Sequence, residues 1–357
     1  MERPAVLMIV TQLSTLSALL LLCLAPRGLD AKPRALFVFG DSYADTGNHS
    51  PYVPILNRPW KLPYGSTWPG EGSGRYSDGK IFTDFFAEYL GFPAAPMTAR
   101  MAKGKKQYDD SMHGINFAYG GSGMFSTFGP LIDPVHLQIK QFSQMIESGF
   151  LSKDLIAESM VLFVVCGNDY TAYGDKHPND EGILDFVPSV ASEIDGSLKA
   201  FQALGVKKIS ITKMLPYGCY PKITSKVNYI SCNASENART ILHNKLITDY
   251  VTAFKELHPD IEVMMLDFQQ AFELSFQGHY DTDDLLLSDN LGFQRRVQLR
   301  PCCEGIGGAS CGEKDLFGRK QYTVCESPED SFFWDNVHPS QAGWETLCKV
   351  LFGPLPY

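Results

Sequence analysis

Short apolar runs alternating with longer helical patterns constrain this chain more than any other feature. Five runs stand out: Ala35-Leu-Phe-Val-Phe39, Ile115-Asn-Phe-Ala118, Met160-Val-Leu-Phe-Val-Val165, Lys208-Ile-Ser-Ile-Thr212 and Ile261-Glu-Val-Met-Met-Leu266. Helical patterns lie between them: Ile81 to Leu90 stopped by Gly91, then 136–148, 186–204 ended by Gly205, and 234–257. A last one follows Pro339 and reaches about Phe352. Strands apolar on both faces need cover on both, and strands separated by helices run parallel. The expected fold class is α/β, a three-layer α/β/α arrangement around a five-stranded parallel sheet. Without an internal repeat or composition break, residues 32–357 read as a single domain. Two long irregular stretches interrupt the pattern, 48–79 and 278–334. Loops of that length are uncommon unless functional or stapled.

The N-terminus reads as a cleaved secretory leader of residues 1–31. Arg3 precedes an apolar stretch densest at Leu16-Ser-Ala-Leu-Leu-Leu-Leu-Cys-Leu24, and a small-residue exit falls between Ala25 and Ala31. Thr11, Gln12, Ser14 and Thr15 dilute the span, and Arg27, Lys32 and Arg34 oppose translocation of a retained anchor. No stable membrane insertion is therefore expected after cleavage, and the destination reads as extracellular or cell wall, with Golgi lumen or vacuole as alternatives. Secretion makes disulfides the default for the eight cysteines left once Cys23 is gone. The group Cys302, Cys303, Cys311 and Cys325 lacks paired C-x-x-C spacing and a nearby His pair, so no metal is expected. Cys166, inside an apolar strand pattern, reads as a buried inert thiol. Two glycosylation sequons are present, Asn233-Ala-Ser235 and Asn48-His-Ser50, the second disfavoured by Pro51. Against 31 basic residues stand 40 acidic ones, a net charge of −9 with no dense basic run. That balance excludes nucleic acid as a partner and leans towards neutral substrates.

In a parallel α/β sheet, ligands gather at the carboxyl ends of the strands. The first strand ends in Gly40-Asp41-Ser42, the second in Tyr119-Gly120-Gly121-Ser122-Gly123, the third in Cys166-Gly167-Asn168-Asp169. Before the last helix stands Trp334-Asp335-Asn336-Val337-His338-Pro339. These ends supply a hydroxyl, a glycine-rich turn, a side-chain amide, and a carboxylate three residues before an imidazole. Acyl transfer by a serine needs that set and no cofactor. Taken singly, each has a plainer reading as a turn or a helix cap; their joint placement at separate strand ends favours catalysis. A rival nucleophile, Ser310 in Gly308-Ala-Ser-Cys-Gly312, has loop chemistry on both flanks where an elbow needs a strand and a helix.

The block Phe37-Val-Phe-Gly-Asp-Ser-Tyr-Ala-Asp-Thr-Gly-Asn48 resembles the first motif of the plant GDSL esterase/lipases, within the SGNH hydrolase superfamily. Asn116-Phe-Ala-Tyr-Gly-Gly121, Gly167-Asn-Asp169 and Asp335-x-x-His338-Pro339 are similar to the second, third and fifth motifs, in order, over residues 34 to 352. The resemblance implies a flavodoxin-like fold and a secreted serine esterase. It makes Ser42 the nucleophile, His338 the general base and Asp335 its orienting carboxylate. The oxyanion hole falls to the N–H groups of Ser42 and Gly121 and the amide of Asn168, with Gly120 as the alternative to Gly121. The family motif has Leu where Tyr43 stands, and Tyr43 is expected to shape the mouth. Neither acyl length nor alcohol is fixed: lipid esters and acetylated cell-wall carbohydrate (xylan-type) are the two readings. An acyltransferase, or a binding protein on the same scaffold, belongs to a different class. The aromatics of Trp60-Lys-Leu-Pro-Tyr-Gly-Ser-Thr-Trp68 and Arg75-Tyr76 offer flat faces suited to sugar rings or acyl chains, or simply pack the loop.

Overall fold

A computed structural model describes residues 32–54, 56–165, 167–177, 181–277 and 299–353. The expected leader and Cys166 lie outside them. The central sheet is parallel throughout and has six strands: β1 (Leu36–Gly40), β2 (Met97–Thr98), β3 (Gly114–Asn116), β4 (Met160–Val164), β5 (Lys208–Thr212) and β6 (Glu262–Leu266). Five match the apolar runs. The sixth, β2, corrects the expected count: it is a two-residue edge strand, too short to leave an apolar period.

Strand order is β2-β3-β1-β4-β5-β6. From β1 the chain crosses to the edge at β2, comes back inward to β3, then passes to the other side of β1 at β4 and builds outward to β6. A crevice therefore opens beyond the carboxyl end of β1, where neighbouring connections diverge. β1 is fully buried along its length, with Phe37 opposite Ile115 and Val161.

The described helices of eight or more residues are α1 (Phe82–Tyr89), α2 (Val135–Glu147), α3 (Asn168–Lys176), α4 (Ile183–Ala203), α5 (Ala234–Leu257), α6 (Phe268–Gln277) and α7 (Gln341–Phe352). Aromatic contacts show how they cover the sheet. Phe39 of β1 meets Phe142 of α2 and Phe201 of α4, with ring centroids 5.4 and 4.7 Å apart. Phe82 of α1, Phe268 of α6 and Trp344 of α7 form the second layer, with centroids 4.7 to 5.8 Å apart. Pairs at these separations add to the stabilisation that burial already supplies. Among the described residues, no helix is long and apolar enough to cross a membrane.

The described part of the second long stretch, residues 299–334, has regular structure. It carries an antiparallel pair, β7 (Cys303–Gly305) and β8 (Tyr322–Val324). Disulfides Cys302–Cys325 and Cys303–Cys311 staple this hairpin, and a third joins Cys219 to Cys232. Cys348 is a buried free thiol.

Candidate active site

β1 stops at Gly40, which has φ +134° and where a Cβ would sit 1.8 Å from the Val164 carbonyl oxygen. Only glycine fits there. Gln138 of α2 accepts from the Gly40 N–H at 2.9 Å and donates to its carbonyl at 2.8 Å, pinning the strand end. The chain then turns, and Ser42 emerges over the crevice.

Ser42 Oγ lies 2.8 Å from His338 Nε2. His338 Nδ1 lies 2.8 and 2.9 Å from the two oxygens of Asp335. Asp335 also accepts the N–H groups of Val337 (3.0 Å) and His338 (2.9 Å), so the turn that carries the imidazole is organised by the carboxylate that orients it. Burial alone would raise the Asp335 pKa; the charge and hydrogen bond of His338, with the N–H of Val337 and the Tyr64 hydroxyl, outweigh it and hold it at about 2. A carboxylate ionised at all working pH values and fixed on Nδ1 leaves Nε2 to exchange a proton with the serine.

Two residues in this network escaped the sequence reading. Tyr64, fully buried, donates its hydroxyl to Asp335 Oδ2 at 2.7 Å. It packs in a cluster with Cys302, Cys303, Cys311, Tyr322 and Trp334, so the stapled hairpin backs the carboxylate. Tyr76 stacks on the His338 ring at 4.9 Å. Both belong to the aromatic stretch read as sugar-binding, acyl-binding or loop-packing; Tyr64 packs inward, and Trp60 and Trp68 border a separate cleft of about 540 Å³. Neither Ser42 nor His338 lines that cleft. Tyr43 lines the Ser42 cavity. It is also buried, and its hydroxyl donates to the Val337 carbonyl at 2.7 Å, bracing the turn that presents His338.

The glycine-rich turn after β3 is held from the β1 side. Buried Asp45 accepts from Gly47 and Asn48 through one oxygen and from Gly120 through the other, at 2.7 to 2.9 Å. The Gly120 N–H is thereby spent, while among the described residues those of Ser42 and Gly121 have no protein acceptor. Asn168 opens α3 after Gly167, whose φ is +103°, and its Nδ2 donates to the Ser122 carbonyl at 2.9 Å. Asp169 accepts the N–H groups of Met124 and Phe125 at 2.9 Å each, tying α3 to the same turn. Burial pushes its carboxyl up, to about 6, against those two donors.

Asn48, named as a sequon, is buried, and its Nδ2 donates to the carbonyls of Asn116 and Ala118 at 2.8 Å each. An amide so engaged has no room for a glycan, and its role is to lace the first motif to the second. Asn233 is exposed and caps α5, accepting from Glu236 N through Oδ1. Ser310 lines the same cavity as Ser42 but sits in a run of turns without a following helix, so it lacks an elbow.

Ser42, Gly121, Asn168 and His338 share a cavity of about 470 Å³. Phe128 and Ile132 flank Gly121, their nearest atoms 3.3 and 3.7 Å from where its Cβ would lie. A hydroxyl on an oriented imidazole, facing amide donors across a part-apolar cavity, can attack and release a carboxylic ester.

Comparison with known proteins agrees with that chemistry. The family model for GDSL-like Lipase/Acylhydrolase matches residues 36–351. The chain is similar to two Arabidopsis thaliana proteins, GDSL esterase/lipase At5g03610 and GDSL esterase/lipase At3g09930. It is 36% identical to the first over 324 residues, covering 90% of this chain and 86% of that one. It is 37% identical to the second over 324 residues, covering 90% and 88%. GDSL esterase/lipase At2g36325 from the same plant is 34% identical over 323 residues, covering 90% and 86%. The chain therefore belongs to the GDSL-like lipase/acylhydrolase family and is a carboxylic ester hydrolase.

Proposed function

We propose that Ser42 attacks the ester carbonyl while His338 takes its proton, forming an acyl-enzyme that water then hydrolyses. The supporting observation is the Ser42–His338–Asp335 relay, with 2.8 Å at the serine and 2.8 and 2.9 Å at the carboxylate. His338 first accepts the serine proton and then hands it to the departing alkoxide; in the second half it activates water and returns that proton to Ser42. Asp335 stays ionised and holds the tautomer. The N–H groups of Ser42 and Gly121 and the Asn168 amide stabilise the oxyanion; the use of the Gly120 N–H by Asp45 supports Gly121 over its neighbour. The acyl group lies against Phe128 and Ile132. Residues 1–31 serve as a leader and 32–357 as one hydrolase domain. The three disulfides support passage through the secretory pathway towards the cell exterior.

The test is acid release by the purified protein and its Ser42→Ala variant, from acetylated polysaccharide and from p-nitrophenyl esters of graded length. Loss of all release in Ser42→Ala is expected. Unchanged release would remove the nucleophile from this scheme.

A further inference from the structure

The cavity that holds Ser42 and His338 also holds a cation that the hydrolytic scheme does not use. Arg58 lies on its wall, exposed to it, in a protein of net charge −9. Among the described residues Arg58 forms no ion pair; its electrostatic neighbours are the neutral hydroxyls of Tyr64 and Tyr76 and, beyond them, the Asp335 carboxylate. Asp335 has its own donors in His338, Val337 and Tyr64. A guanidinium carries five N–H donors, more than the Tyr64 oxygen can engage, which leaves donors for another acceptor. The aliphatic stem of Arg58 rests beside Gly312 of the stapled hairpin, Cγ lying 3.6 Å from where a Cβ would be, so the head is presented from a braced wall.

Position decides which part of the substrate this cation meets. The apolar residues Phe128 and Ile132 lie beside Gly121, while Arg58 lies on the side of Tyr64, Tyr76 and Asp335. The leaving alcohol must pass His338, which protonates it, so Arg58 faces the alcohol and not the acyl group. His49 lines the same cavity, is 1% exposed, holds the Gly120 carbonyl through Nε2 at 2.8 Å, and leaves Nδ1 without a partner. Lys222, on the same cavity, is already 4.0 Å from Asp175 and is the weaker candidate.

We propose that Arg58 selects esters whose alcohol part bears a carboxylate, as in an acylated hydroxy acid or uronic acid. A planar guanidinium and a carboxylate pair through two parallel hydrogen bonds, a geometry a neutral alcohol cannot match. The overall acidic charge disfavours anions at a distance; one braced cation at the leaving-group site reverses that preference locally. The inference rests on the assignment of Ser42 and His338 as nucleophile and base, since those roles define the alcohol side.

Two matched esters test it: 3-acetoxybenzoate and 3-acetoxybenzamide, alike except for the charge on the alcohol. The expected wild-type ratio of kcat/KM is about tenfold or more in favour of the carboxylate, a typical gain for a charge-assisted hydrogen bond. Arg58→Gln brings the ratio to near one, Arg58→Lys keeps part of it, and added salt shrinks it. A merely structural role would slow both esters equally and leave the ratio alone. Binding of 3-hydroxybenzoate against 3-hydroxybenzamide to the Ser42→Ala protein, with and without Arg58→Gln, repeats the comparison independently of turnover. A wild-type ratio near one, with hydrolysis still dependent on Ser42, overturns the carboxylate inference and leaves the nucleophile standing. Hydrolysis that survives Ser42→Ala overturns the nucleophile instead, and the binding pair then decides for or against Arg58.

Discussion

Tyr64→Phe removes a single oxygen from the wall behind the triad and leaves the ring packed against the disulfides. The lost bond is the 2.7 Å contact to Asp335 Oδ2. A hydrogen bond to a charged group typically contributes about 1.5–3 kcal/mol. The carboxylate gives a second scale. Its pKa falls from 3.8 to about 2 although burial raises it, so its partners together supply more than the net of about 2 kcal/mol at 1.36 kcal/mol per unit. Tyr64 ranks behind the His338 charge, the His338 hydrogen bond and the Val337 N–H. About 1 kcal/mol is therefore the expected loss, or roughly fivefold in kcat. KM should hold, because Tyr64 does not border the cavity of Ser42. Stability supplies a second readout. Asp335 is depressed on folding, so its contribution is full above about pH 4 and is lost as pH falls towards 2. In Tyr64→Phe the folded pKa rises, so urea unfolding should show a deficit of about 1 kcal/mol near neutral pH that narrows as pH falls through that window. A kcat within twofold of wild type, or a loss confined to KM, would refute the reasoning.

Asn168→Ala should lower kcat by about 10²–10³, the usual loss for one oxyanion donor; steady-state kinetics with a near-normal rate would take it out of the mechanism. His243 is buried against the Tyr170 hydroxyl at 2.7 Å, and burial lowers its pKa to about 3. Its unfolded form binds a proton first, so stability should fall as pH drops from about 6.5 towards 3; in His243→Gln, urea midpoints across that range should show a shallower slope. Secreted from a glycosylating host, Asn233→Gln should gain electrophoretic mobility by one glycan, whereas Asn48→Gln should lose folded yield without such a shift.

What could be read from the sequence follows from range. The apolar runs and helical periods are local, so β1, β3 to β6 and the long helices stand where their patterns fall. The edge strand Met97–Thr98 follows Pro96 and is two residues long, which no period can register. The helix Asn168–Lys176 leaves no clear period because Gly, Asn and Asp crowd its start; Gly167, at positive φ, caps it. Ser42, Asp335 and His338 were legible because strand ends and their spacing mark them. Tyr64, Tyr76, His49 and Arg58 were not, because they lie in a stretch with no period. Tyr64 meets a partner 271 positions away. Loop length alone hinted that 48–79 had work to do.

Ser42 and His338 stand 296 positions apart in sequence. Around them the two ends of the chain are fastened together: Tyr43 to the Val337 carbonyl, Ser77 to the Pro339 carbonyl, and Asp78 to the N–H of Gln341. During synthesis the nucleophile and its strand leave the ribosome long before the base exists. The enzyme is therefore silent until the segment from Asp335 onward docks. On heating, the same clasp can open while the sheet persists, because local openings need less free energy than global unfolding. Esterase activity is thus a sensor of this one long-range closure, and it should fade at a lower temperature than the circular dichroism of the helices.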